Sequence, residues 1–196
     1  NVITYFFFDY LAKERGYDEG SVLLTMGPVV LILAAGYFVG GSVGDWAFRR
    51  DRRGRILTST AGVLFGAIFL FLALKTPIEA RGQFFVFMSL TAVFMPFSAP
   101  NVISTVYDVI VPEVRSTAQS VEYFIENSGA AFAPILAGVI ADAFDMGTAI
   151  LWVSLASWGL CFLFYLGALF FIDSDIETLR TEMAERAALE KAKQAA

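Results

Sequence analysis

Gly41-Ser-Val-Gly-Asp45-Trp-Ala-Phe-Arg49-Arg50-Asp51-Arg52-Arg53-Gly54-Arg55 packs five arginines into its last seven residues. Residues 21–44 precede the first charge of this stretch without one of their own, and residues 56–74 follow it uncharged. Each run is about the 20 apolar residues that a bilayer crossing takes. A strongly basic turn between two such runs reads as a loop joining two membrane helices, and loops rich in Lys and Arg stay on the cytoplasmic side. The pattern repeats downstream. Residues 83–107 and 146–172 carry no charge, and residues 116–141 are apolar apart from Glu122 and Glu126.

The composition agrees with lipid as the main solvent. Of 196 residues, 57% are hydrophobic and 17% charged, against about 45–50% and about 25% in soluble domains. The chain has no histidine and one cysteine, Cys161, inside an apolar run. Histidine-based acid–base chemistry, histidine metal sites, an internal disulfide and a cysteine zinc cluster are therefore excluded. No nucleophile–base pair or cofactor motif stands out, so neither an enzyme nor a metal or other cofactor is expected. No glycine-rich lysine loop is present to cradle ATP phosphates. A net charge of −5 argues against nucleic acid as a partner.

Five complete spans follow an apolar, aromatic stub at residues 1–11, too short to cross at about 1.5 Å per residue. The stub is expected to be the end of a helix whose start is missing. Ten basic residues fall in the Arg-rich loop, at Arg115 and in the tail, against Lys13, Arg15, Lys75 and Arg81 on the other side. The Arg-rich loop and the carboxy-terminus are thus expected in the cytoplasm. The fold expected is an all-α membrane protein: a six-helix bundle with its first helix truncated over residues 1–172, then a tail over residues 173–196. In the tail, Ser174 and Glu177 fit a capping box. Ile176, Leu179, Met183 and Ala187 recur at helical spacing. The tail reads as an amphipathic helix that lies on the membrane or docks on the loops.

Glycines four apart, Gly36/Gly40 and Gly62/Gly66, and the small-residue stretch 128–138 suit close helix packing in lipid. Pro28, Pro96, Pro100 and Pro134 lie inside spans, where each removes a backbone hydrogen bond. The pair Pro96 and Pro100 marks either a moving, cavity-lining helix or a static kink.

The stretch from Gly41 to Arg55 resembles the signature loop of the major facilitator superfamily, Gly-x-x-x-Asp followed by Arg, Gly and Arg. Here several residues separate Asp45 from the arginines, which leaves open which arginine plays which part. Val111-Pro-Glu-Val-Arg115-Ser-Thr-Ala118, with Gly138-Val-Ile-Ala-Asp142 further on, is similar to the loop between that superfamily's tenth and eleventh helices and to its eleventh helix. Residues 101–110 faintly resemble spinster-like members. The resemblance covers residues 1–172 as helices seven to twelve, half of a twelve-helix fold. It implies a secondary transporter, two six-helix bundles around a midplane site that rock to expose it alternately. Its partners would be the amino-terminal six-helix half, a small-molecule or lipid-like substrate, a proton or cation, and the bilayer of a plasma or inner membrane. Gly41, Asp45, Arg52, Arg53, Gly54, Arg55 and Arg115 would form a cytoplasmic gate, with Gly41 allowing close helix approach.

Ionisable groups within spans are costly and usually face a bundle interior. Glu126 lies about 16 Å along its helix from the basic end, near mid-membrane. Glu122 is one turn away on the same face, so the two would repel if both were ionised, and one is expected to bind a proton. Glu126, Glu122 and Asn127 are therefore candidates for binding a proton or a cationic group, or for pairing with an arginine of the other half. Asn101 binds substrate or caps the kink, and Asp108 with Tyr107 serves a gate, a loop contact or substrate. The alternative to transport is a non-transporting membrane scaffold or a channel of the same fold.

Overall fold

The structure, a computed structural model, describes residues 2–195; residues 1 and 196, where the expected bundle begins and the tail ends, lie outside them. Among the described residues there is no strand. The helices are α1 (Val2–Lys13), α2 (Glu19–Phe48), α3 (Gly54–Lys75), α4 (Arg81–Phe94), α5 (Ser98–Val109), α6 (Arg115–Ala143), α7 (Met146–Ala168) and α8 (Ile172–Ala195). A 3-10 turn, Met95–Phe97, joins α4 and α5 into one rod, so five rods are long and apolar enough to span a bilayer. They are the five spans expected, each displaced by only a few residues at its ends.

α3 is the central post, packed by α2, α4, α5 and α7. Its interior position follows from its small face. A Cβ on Gly62 would stand 2.5 Å from Phe97 Cβ, and one on Gly40 of α2 would stand 2.6 Å from Phe97 Cα. Phe97, at 7% exposure, is thus a knob that only glycines on two neighbouring helices let in. Pro96 and Phe97 of the proline-broken turn are buried, and the turn packs against α2 and α3. The approach is closest at Gly44, where a Cβ would overlap the Asn101 amide, whereas one on Gly41 would meet Pro100 at an ordinary 3.5 Å. The dense small-residue stretch of α6 behaves differently. Ala137 alone in that helix is buried, and Gly129 and Gly138 meet nothing within 4 Å among the described residues.

The tail departs from expectation at its start. α8 begins at Ile172, so Ser174 sits inside its first turn and its hydroxyl donates to the Phe171 carbonyl at 2.9 Å. No capping box forms. The earlier start buries Ile172 and Ile176 against Phe48, Ile56, Val109 and Tyr165, and that apolar contact decides where the helix begins.

Candidate functional site

The Arg-rich turn is ordered by charges brought from three other elements. Arg55, in the first turn of α3 and 15% exposed, binds Asp45 near the end of α2 at 2.8 Å and also Asp108 near the end of α5. Its guanidinium lies 4.1 Å over the Phe48 ring. One planar fork thereby ties the ends of three spans with charge-assisted bonds. Arg53 reaches Asp173 at 2.7 Å and Arg52 reaches Glu177 at 2.5 Å, both on α8. Gly54 is buried where α3 turns back onto the end of α2, and a Cβ there would clash with the Ala47 backbone. Arg115 lies apart from this knot. It donates to the Tyr107 and Ile110 carbonyls at 2.8 and 3.2 Å, satisfying the open carbonyl end of α5.

Asp108 belongs with this arginine knot, not with the mid-helix carboxylates. Asn101 is 1% exposed, and its amide donates to the Gly40 carbonyl at 2.9 Å and to Phe97 at 2.7 Å. Both bonds lie at the proline kink.

The mid-membrane candidates stand on α6. Gln119, Glu122, Tyr123, Glu126 and Asn127 recur at helical spacing and share one face. Further along, Ala133, Ala137, Ile140 and Ala141 continue that face and pack on the bundle core. The opposite face shows Phe124, Ile125, Phe132 and Ile135 to the surroundings. The polar residues thus lie on the side of α6 that, further along, packs on the core, although Tyr123 among them is exposed. Glu122 is half-buried with Oε2 buried and unpartnered, while Glu126 and Asn127 are exposed. Asn127 donates to the Tyr123 carbonyl at 2.7 Å. Tyr107 donates to Gln119 Oε1 at 2.5 Å, and Gln119 Nε2 donates to the Tyr123 hydroxyl at 3.3 Å, a polar chain leading from the end of α5 toward Glu122. Sequence reasoning missed Gln119 and Tyr123, although the i, i+3, i+4, i+7 recurrence around Glu122 would have found them.

It also missed the opposite end. Arg15 is 3% exposed, lies 4.1 Å over the Phe84 ring, and donates to the Thr76 and Pro77 carbonyls at 3.0 and 2.9 Å. Glu14 accepts the backbone N–H groups of Met146 and Gly147 at 2.5 and 3.0 Å, binding the open N-terminus of α7.

Five spanning helices around a glycine-nested kink, with an arginine clasp on the ends of three of them, define a multi-pass integral membrane protein built as a transporter bundle. A family model described as Major Facilitator Superfamily matches residues 1–194, and the chain belongs to that superfamily. No match was found among curated proteins or among solved structures.

Proposed function

We propose that residues 1–172 form the carboxy-terminal bundle of a secondary transporter that works by alternating access with an amino-terminal six-helix partner, in a plasma or inner membrane. The Arg-rich turn and the tail, residues 173–196, face the cytoplasm. There Arg55 with Asp45 and Asp108 closes the gate, and the ion pairs to α8 hold the loop in place. The cargo is a small or amphiphilic solute, moved with a proton. Glu126 takes up that proton, Glu122 stands nearer the cytoplasmic mouth, and Gln119 and Tyr123 extend a polar chain from Tyr107 toward Glu122.

One observation carries this reading. Two carboxylates stand one turn apart within a span, on the side of α6 that further along packs on the core, and among the described residues no Lys or Arg pairs with either. A charge left so in hydrocarbon costs about 2.5–3.5 kcal/mol even on the mildest scale. A proton relieves it, and a site that exchanges a proton as it changes sides couples transport to the proton gradient. A structural scaffold has no use for such a pair. The test is Glu126→Gln in the full-length protein in proteoliposomes under an imposed pH gradient. Loss of pH-dependent transport is expected, with counterflow of labelled substrate distinguishing carrier from channel. Unchanged uptake and an unchanged pH profile would sink the proposal.

A further inference from the structure

The five arginines of the α2–α3 turn divide into two groups. Arg52, Arg53 and Arg55 are each neutralised by carboxylates from elsewhere in the chain. Arg49 and Arg50 are exposed, and among the described residues neither side chain has an acid partner. The nearest acid in sequence, Asp51, turns instead to the Arg53 backbone N–H at 2.8 Å. Arg50 is laid 3.8 Å over the ring of Trp46, itself 55% exposed.

Position makes these groups informative. Val39, Val43, Trp46 and Arg50 follow one another at i, i+4, i+7 and i+11, a narrow strip along α2. Val39, Val43 and Trp46 are 46%, 40% and 55% exposed. The strip lies to the side of Gly36, Gly40 and Gly44, which face the kink, so it is not the face α2 uses to pack within the bundle. An apolar strip that ends in an indole and then a guanidinium matches the order of solvents at a bilayer surface: hydrocarbon, interface, headgroup phosphate. Arginine's planar fork binds phosphate bidentately, and stacking on the indole holds one fork in orientation.

We infer that Trp46, Arg49 and Arg50 form a binding site for the headgroup of an anionic phospholipid in the leaflet at this end of the bundle. The acids of α8 have a part in it. By occupying Arg52 and Arg53 they fix the turn and leave Arg49 and Arg50 without an acid, with Arg50 laid on Trp46.

The experiment uses the full-length protein in nanodiscs, with Trp46 as sole tryptophan and its other tryptophans replaced by Phe. Trp46 fluorescence is read with brominated phosphatidylglycerol or brominated phosphatidylcholine diluted into unlabelled phosphatidylcholine. Brominated phosphatidylglycerol should quench at lower mole fraction, with a preference of about fivefold for each arginine. Arg49→Gln with Arg50→Gln should abolish the preference while leaving quenching by phosphatidylcholine, and Arg49→Lys with Arg50→Lys should keep part of it. Among the described residues neither arginine has an acid partner, and the Arg50–Trp46 stack is exposed, so thermal unfolding should be nearly unchanged in either double variant. Equal quenching by the two lipids would overturn the inference. So would no quenching by either, which would mean that another part of the protein covers Trp46. Neither result bears on the role of Glu126.

Discussion

At the end of the bundle where α2 turns into α3, three arginines bind carboxylates, and every carboxylate is at least a quarter exposed. At the opposite end Arg15 is 3% exposed and binds two backbone carbonyls, while Glu14 binds two backbone amides. The residue types are the same and the consequences differ. Ion pairs between exposed side chains contribute about 0–1 kcal/mol each and are screened by salt, because water solvates both partners nearly as well once they part. A buried guanidinium on backbone carbonyls has no such exchange, since separation leaves a desolvated charge and unpaired carbonyls. The first end can part at little cost. The second is a buried staple that joins the α1–α2 connection to the α3–α4 turn and to α7.

The largest expected effect breaks the staple. Arg15→Met keeps much of the volume but leaves the Thr76 carbonyl without its side-chain donor, at about 1–3 kcal/mol, while the Pro77 carbonyl keeps the Ala80 N–H at 3.1 Å. Chemical unfolding of the full-length protein in detergent should show a loss of about 1–3 kcal/mol. A loss no larger than that of a surface pair would erase the contrast between the two ends.

Within the clasp, burial should rank the carboxylates. Asp108 is 25% exposed and Asp45 is 55% exposed, both on the same Arg55. Asp108→Asn should therefore cost about 1–2 kcal/mol and Asp45→Asn under about 1 kcal/mol. Thermal unfolding of the two variants side by side checks the order, and its reversal would place the tighter contact on the α2 side.

The smallest effect is at the tail. Arg52 and Glu177 are 38% and 60% exposed, so Glu177→Gln should cost under about 1 kcal/mol. Its readout is kinetic: trypsin should cut after Arg180 faster in the variant than in wild type. In about 1 M salt, where the screening length falls to about 3 Å, the two should be cut alike. A salt-independent difference would mean that the Ile172 and Ile176 contacts, rather than the ion pairs, hold the tail.

Parts of this architecture were legible before any coordinates. The five spans were, because the free energy of placing a residue in lipid is a local property that a run of sequence sums directly. Which of the five arginines plays which part beside Asp45 was left open by the sequence, and packing placed Arg55 on it. Asp108 is 53 residues from Arg55 along the chain, and nothing in its own neighbourhood announces the contact. Ser174 and Glu177 had the spacing of a capping box, yet two isoleucines found a buried seat one turn earlier and moved the helix start. Arg15 read as one loop charge among several, because its burial depends on Phe84 and on a turn more than 60 residues away.

By itself the sequence determined that this chain crosses a bilayer, where it crosses, and which turn gathers the arginines, for hydropathy and charge count act residue by residue. Only the tertiary structure decided which arginines are bound and which remain open, that the Asn101 amide is spent on the Gly40 and Phe97 carbonyls, and that the polar side of α6 runs on into the side that packs on the core. Those outcomes are choices among partners, and a partner is chosen by how the helices pack.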